Sequence, residues 1–116
     1  MKILYVAGKY RSSEGMRGVW ENIEIAGSVA VQLWRMGFAV ICPHKNTAFF
    51  DGVDDAKMFI TGDLEMIKRC DGVVTCPNWK NSEGAREEVH FSKSRAIPVY
   101  AWPKDRKKLV ALGKPK

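Results

Sequence analysis

The sequence lacks several patterns that would assign it to a common protein class. Only three of its 116 residues are cysteine, an odd number with no C-x-x-C pair. This argues against a disulfide framework or a zinc site and predicts buried, reduced thiols. No apolar run approaches the roughly 18 residues of a membrane span, and no signal-peptide pattern follows Met1. We therefore expect a cytoplasmic protein that makes no contact with a membrane.

The net charge of +6 is unevenly distributed along the chain. Residues 104–116 hold six basic residues and one acid, which leaves residues 1–103 with 13 bases and 12 acids. Because no aromatic interleaving and no known nucleic-acid motif accompanies the basic segment, polynucleotide binding is not expected. We interpret residues 1–103 as one domain and residues 104–116 as a basic, solvated C-terminal tail.

Apolar runs of strand length alternate with amphipathic segments along the domain. The predicted strands are residues 2–7, 38–42, 72–76 and 97–101, and the predicted helices are residues 19–36, 59–67 and 85–95. This βαβαβαβ order predicts a single Rossmann-like or flavodoxin-like α/β domain, with a parallel sheet of four to five strands and helices on both faces. Ligands of such folds bind beyond the carboxyl ends of the strands.

The loop after the first strand begins Gly8-Lys9-Tyr10-Arg11. A glycine at this place lets the backbone approach a ligand closely, so Gly8, Tyr10 and Arg11 are candidate binding residues. The loop matches neither G-x-G-x-x-G nor a Walker loop, which excludes the usual dinucleotide and triphosphate sites. A plain turn explains Gly8 equally well.

Polar residues also follow the second predicted strand. His44, Asn46 and Asp51 lie in this loop, where side chains can converge on a ligand. A metal site would need further ligands, and His90, the other histidine, has no ligand pattern around it. We expect neither a metal ion nor an organic cofactor.

Two carboxylates on predicted helices are candidates for acid–base or nucleophilic chemistry. Asp63 borders the apolar stripe of the second helix, where partial burial would raise its pKa. The alternative is an acid near a helix start, favoured by the dipole. Glu88 lies one turn from Ala85 and from Ser92, whose small side chains leave space above the carboxylate. The alternative for Glu88 is a solvated surface glutamate.

Ser82 and Gly84 stand at the start of the third predicted helix. Free backbone amides and the helix dipole favour an anion there. The alternative for Ser82 is a helix N-cap.

Four passages together resemble the nucleoside 2-deoxyribosyltransferase superfamily, in particular a small branch of mostly uncharacterised phage and bacterial proteins. They are LYVAGKY, VICPHKNTAFFDG, GDLEMIKRCDGVV and SEGAREE. The resemblance runs over residues 3–101 in the expected order. Only the basic tail lies outside it.

The resemblance implies an enzyme in which Glu88 attacks the anomeric carbon of a nucleoside and Asp63 assists the departing base. It also implies that Ser82 and Gly84 form the turn before the nucleophile, and that the serine helps to bind a 5'-phosphate, as in deoxynucleoside monophosphate hydrolases. Arg11 can add positive charge to such a site. A second base as acceptor makes a transferase and water makes a hydrolase. A homo-oligomer is implied as well.

The alternative function is a non-catalytic module that binds or senses a nucleotide, because a fold alone never establishes activity. Binding alone would not require both Asp63 and Glu88, and both are present. A scaffold that binds nucleic acid through its basic tail ranks last among the hypotheses.

Overall fold

Strands and helices alternate along the chain in the computed structural model, which describes residues 1–50, 52 and 55–114. The strands are β1 (Ile3–Ala7), β2 (Ala39–Ile41), β3 (Gly72–Thr75) and β4 (Val99–Ala101). The α-helices are α1 (Met16–Arg35), α2 (Pro43–Asn46), α3 (Ala56–Lys68), α4 (Glu83–Ser94) and α5 (Arg106–Gly113), and a 3-10 turn spans Trp79–Asn81. Asp51, a predicted binding residue, lies outside the described residues.

The strands form one parallel sheet in the order β2-β1-β3-β4. The central strands β1 and β3 pair from Leu4 opposite Gly72 to Ala7 opposite Thr75. β3 is buried along its whole length and β1 from Leu4 onward, as expected for a sheet covered on both faces. The predicted α/β fold, with a four-stranded parallel sheet and helices on both faces, is confirmed.

Successive side chains of β1 point to opposite faces of the sheet and so contribute to two different cores. Leu4 and Val6 pack in a cluster with α1, Phe38 and Leu109 of α5. Tyr5 and Ala7 pack in a second cluster that includes Ile67 of α3. The sheet therefore has an α1/α5 face and an α3/α4 face.

The predicted solvated tail is wrong for residues 106–113, which form α5. Leu109 is fully buried in the core of the α1/α5 face, and Leu112 packs against the same cluster. The two leucines are three residues apart, so they share one side of the helix, while the basic side chains stay exposed. The Asp105 carboxylate fixes the entry to α5 by accepting a hydrogen bond from the Ala101 N–H at 2.8 Å. The segment from 104 to 113 is thus part of the domain.

Two other differences from the prediction change the loops after β1 and β2. The first helix begins at Met16 rather than at Val19, which shortens the loop after β1. The loop predicted after β2 contains α2, whose first residue is Pro43, a position that suits proline because its missing N–H would have no helical partner. Within the described residues, no helix is both long and apolar enough to cross a bilayer.

Candidate functional site

A cavity of about 720 Å³ lies beyond the carboxyl ends of β1, β2 and β3. Its walls are the loop after β1, the α2 region, the inner side of α3 and the first turns of α4. This is where ligands are expected in a doubly wound sheet, because the loops after neighbouring strands diverge and leave a crevice. Six predicted binding or turn residues line this cavity together with both candidate carboxylates: Gly8, Tyr10, Arg11, His44, Ser82 and Gly84.

Glu88 lines the cavity from α4, and its carboxylate is held in place by a hydrogen bond from a residue of the sheet. Its Oε2 accepts a hydrogen bond from the hydroxyl of Tyr5, a β1 side chain with no exposed surface. The pKa of Glu88 is raised to about 8, chiefly by burial and to a smaller extent by the nearby Asp63 and Glu87 carboxylates, whereas the Tyr5 hydroxyl opposes the rise. Glu88 is therefore not the solvated surface glutamate of the alternative interpretation.

Asp63 reaches the same cavity from α3. It lies in the middle of this helix, so the alternative explanation by a helix-start dipole is wrong. Burial raises the pKa of Asp63 to about 6. Its neighbours on the cavity wall are apolar and include Phe59, Ile60 and Leu64. Ile60 remains 43% exposed, so this apolar wall is partly open to solvent.

The two carboxyl groups have different roles open to them because their surroundings differ. Both pKa values are shifted toward neutrality, where a group can take up and release protons efficiently. Only Glu88 has a side-chain donor that holds its carboxylate in place. The site thus combines one oriented carboxyl group with one carboxyl group set in an apolar wall.

Packing rather than ligand approach explains why residue 8 is glycine. A Cβ at Gly8 would lie 2.7 Å from the Cys76 Sγ, too close for any real contact. His44 then secures the carbonyl groups of this turn: its Nε2 lies 3.2 Å from the Gly8 oxygen and 3.0 Å from the Lys9 oxygen. Burial lowers the pKa of His44, so the ring is neutral and donates from Nε2. His44 therefore positions the loop.

Two asparagines that sequence analysis did not single out hold the rest of this loop. The Asn22 amide on α1 donates to the Tyr10 carbonyl at 3.0 Å and to the Arg11 carbonyl at 3.3 Å. The Asn78 amide, after β3, donates to the Asn22 side-chain oxygen at 3.3 Å. Backbone groups that line the cavity are thus fixed by side chains from two other elements.

Tyr10 and Arg11 complete the first loop at the cavity. The Tyr10 hydroxyl accepts a hydrogen bond from the Phe49 N–H at 2.9 Å. Phe49 has a φ of 59°, in the left-handed region that non-glycine residues seldom adopt, so this bond holds a strained turn. Arg11 is exposed and lines the cavity, which places a positive charge beside it.

The start of α4 also borders the cavity. Ser82 is the N-cap of this helix, and its Oγ accepts a hydrogen bond from the Ala85 N–H at 3.1 Å, which confirms the capping interpretation. Gly84 leaves open space, since the nearest atom to an added Cβ would be the Ser82 Oγ at 3.9 Å. The positive end of the helix dipole therefore faces an accessible part of the cavity.

Comparison with known proteins supplies the family. The model of a domain of unknown function, DUF4406, matches residues 2–101. The chain belongs to this family. No curated protein matches this DUF4406 chain significantly. It is similar in structure to a conserved protein from Enterococcus faecalis V583, with 23% identity, a TM-score of 0.61, and coverage of 98% of this chain and 76% of that one. At this identity the likeness shows the fold alone.

One predicted binding residue of the DUF4406 domain does not reach the cavity. Asn46 is the exposed last residue of α2 and lines a separate depression with Lys45 and Trp34 of α1. The physical reason is α2 itself, because this single turn directs His44 toward the first loop and Asn46 toward α1. Across the part of the chain that the structure describes, no three potential metal ligands gather in one place.

Proposed function

We propose that this DUF4406 domain cleaves or transfers the N-glycosidic bond of a nucleoside, a deoxynucleoside or the corresponding 5'-monophosphate. The observation that carries the proposal is the pair Glu88 and Asp63, which come from different helices and line one cavity at the strand ends. The resemblance to nucleoside 2-deoxyribosyltransferases supports the same two residues as nucleophile and acid.

In the first step the Glu88 carboxylate attacks the anomeric carbon of the sugar. The bond between this carbon and the base nitrogen breaks, its electron pair goes to the base, and the proton of Asp63 neutralises the departing base. The products are a free base and a glycosyl ester of Glu88. The Tyr5 hydroxyl keeps the Glu88 carboxylate oriented toward the cavity in this step.

In the second step an acceptor attacks the same carbon and releases Glu88. Water as acceptor gives the free sugar and makes the protein a hydrolase, whereas a second base gives a new nucleoside and makes it a transferase. The ionised Asp63 takes the acceptor's proton in either case, which returns both carboxyl groups to their starting states. Two displacements at one carbon retain the anomeric configuration.

The remaining cavity residues suit the other parts of such a substrate. The apolar wall of Phe59, Ile60 and Leu64 can cover a base beside Asp63. The start of α4, with Ser82 and Gly84, and the charge of Arg11 suit a 5'-phosphate. We place the protein in the cytoplasm, where such substrates occur, and expect it to form a homo-oligomer.

The deciding experiment measures base release chromatographically from a panel of ribo- and deoxyribonucleosides and their 5'-monophosphates, with and without a free acceptor base. We expect Glu88→Gln and Glu88→Ala to lose at least about a thousandfold in rate, since the covalent step is removed. Formate should partly restore Glu88→Ala by replacing the missing carboxylate. Dependence on the acceptor base separates transferase from hydrolase.

The matched control is Glu87→Gln, which removes the neighbouring carboxylate on the same helix and should leave the rate within about threefold. Full activity in the Glu88 variants would show that the nucleophile is another residue.

A nucleotide that raises the melting temperature of the wild-type protein but releases no base would instead support a non-catalytic nucleotide-binding module. The pKa of about 8 at Glu88 favours this second candidate, because a protonated carboxyl group can donate a hydrogen bond to a ligand.

A further inference from the structure

The outer side of α1 exposes large apolar side chains that no element of the described chain covers. Met16 is 67% exposed, Trp20 55%, Val31 47% and Trp34 54%. At about 100° per residue, these four side chains fall within about 60° of one another around the helix. They form a stripe, which we call the α1 stripe, beside the buried face of the helix. Exposed aromatic groups arranged in this way are typical of association surfaces.

The α1 stripe has its own two-fold pattern. Trp20 and Trp34 lie seven residues before and after Gly27, about 10 Å on either side along the helix axis. A second α1, antiparallel to the first and related by an axis through Gly27, would place Trp20 of each copy against Trp34 of the other. Such self-complementary surfaces are what two-fold dimers require.

The centre of the stripe is polar and compatible with this arrangement. The Cε of Lys45 lies 2.8 Å from the place that a Cβ on Gly27 would take, so a side chain at residue 27 would displace it. The Lys45 Nζ pairs with Glu24 at 3.8 Å. Near a two-fold axis, each Lys45 can reach the Glu24 of either copy, while the apolar ends of the stripes cover one another.

The charges beside the stripe are also self-complementary. Glu21 and Arg35 flank it on one side, about 21 Å apart along α1, so they cannot meet within one copy. Arg35 makes no ion pair with any other residue of the described chain, whereas Glu21 pairs with Arg17 at 3.6 Å. In the antiparallel arrangement, Glu21 of one copy lies beside Arg35 of the other at both ends of the contact.

We propose that the α1 stripe is a two-fold self-association surface and that its occupant is a second copy of this chain. Among the described residues that line the candidate cavity, none belongs to α1, so the α1 stripe does not depend on the proposed chemistry. A catalytically inactive protein would leave this proposal intact, and a monomeric protein would leave the proposed function intact.

The first test is sedimentation equilibrium of the full chain over a range of concentrations. We expect a dimer for the wild type, and monomers for Trp20→Glu and Trp34→Glu, because a buried charge would face an apolar surface. Both tryptophans are more than half exposed, so each variant should fold, as circular dichroism will show. The matched control is Ile25→Glu, which changes a 38% exposed residue on the opposite side of α1 and should remain dimeric.

The second test exchanges the flanking charges. Glu21→Arg and Arg35→Glu should each raise the dissociation constant by about tenfold, since like charges then face each other, and the double variant should restore it to within about threefold. Restoration can only come from contact between copies, given the distance along the helix. A monomeric wild type overturns the proposal, as does a dimer that survives both tryptophan variants or a double variant no tighter than the singles.

Discussion

The two faces of the sheet bury different kinds of side chain. On the α1/α5 face, the cluster around Leu4, Val6, Leu33 and Phe38 is made of buried apolar residues. On the α3/α4 face, the cluster around Tyr5 adjoins the Glu88 carboxyl group and a cavity of about 720 Å³. Both faces are built from the same strands, and alternate residues of β1 point to one face or the other.

The difference shows how a small domain separates its apolar core from its candidate site. One face removes apolar surface from water and so stabilises the fold. The other face keeps two carboxyl groups partly out of water, which costs stability because burial disfavours their ionised forms. The stability contributed by the α1/α5 face offsets the stability lost at the carboxyl groups of the α3/α4 face. Each of the following predictions tests this difference between the two faces.

The largest expected effect on stability is at the α1/α5 face. Leu109→Ala should lower the free energy of unfolding by about 3 kcal/mol, because Leu109 has no exposed surface and its truncation leaves a cavity. Activity per folded molecule should stay the same. Denaturant unfolding measures the first quantity, with the exposed neighbour Val110→Ala as the control, expected within about 0.5 kcal/mol of wild type. An equal loss in both variants would show that α5 does not belong to the core.

Glu88→Gln should have the opposite effect on stability. The folded-state pKa of Glu88 is raised from 4.5 to about 8. The stability that the protonated Glu88 side chain contributes is therefore fully present below pH 4.5 and is lost as the pH rises through 8. Glutamine cannot ionise, so the variant should be more stable than wild type at pH 8 and equally stable at pH 4. The pKa shift alone corresponds to about 4 kcal/mol, and because Glu88 is only half-buried and solvent screens its charge, we expect a gain of about 2 kcal/mol at pH 8. Melting temperatures across this range measure the gain.

The exposed Glu87→Gln variant serves as the control for that series, and its melting temperature should follow the wild-type pH dependence. The measured quantity is the difference in stability between Glu88→Gln and wild type at each pH. If this difference is the same at pH 8 as at pH 4, the interpretation of Glu88 as a buried carboxyl group with a raised pKa is wrong.

The third prediction concerns the pH dependence of kcat/KM for whichever substrate the panel identifies. The proposed reaction needs Glu88 ionised and Asp63 protonated, and the pair titrates at about 6 and about 8. The rate should rise about tenfold per pH unit below 6, stay level, and fall above 8. Since Glu88 has the higher pKa, only roughly 1% of the molecules hold the reactive pair of states on the plateau. A single inflection would exclude one of the two groups.

The smallest expected effect comes from Tyr5→Phe, which leaves the packing of β1 intact and removes one hydroxyl. That hydroxyl lowers the pKa of Glu88, so its loss should raise this pKa and move the upper inflection of the pH profile to higher pH. The plateau rate should fall about tenfold with it. A pH profile identical to wild type would show that the Tyr5 hydroxyl does not act on Glu88.

Most of the fold could be predicted from the periodicity of apolar residues, but α5 could not. Its eight residues begin with three basic ones, and of the apolar residues that follow only Leu109 and Leu112 pack against the core. Two core-facing leucines in so short a segment are too few to show helical periodicity. What stabilises α5 is the surface left open by Phe38 and α1, which forms only when distant parts of the chain come together.

Sequence analysis singled out some residues of the site and missed others, and the difference lies in the local pattern around each residue. Asp63 and Glu88 were singled out because each carboxylate lies beside apolar or small residues of a helix, and the resemblance to nucleoside 2-deoxyribosyltransferases then favoured both. Tyr5 was missed because it lies in an apolar strand, and its partner Glu88 is 83 residues away. Asn22 was missed because it is a single polar residue on the buried side of α1. The signal for α2 was present in Pro43, and using it would have directed Asn46 away from the cavity.

The bond between Tyr5 and Glu88 joins the central strand to a helix that begins at the rim of the cavity. Strands at the centre of a sheet open only when the whole domain unfolds, whereas helix starts near a cavity usually open locally. The hydrogen bond from Tyr5 to Glu88 therefore makes the opening of α4 around Glu88 depend on the opening of the central strand β1. In amide hydrogen exchange, the amides of α4 around Glu88 should then exchange as slowly as those of β1, and the first turn of α4 much faster. The proposed nucleophile would then belong to the last part of the molecule to unfold.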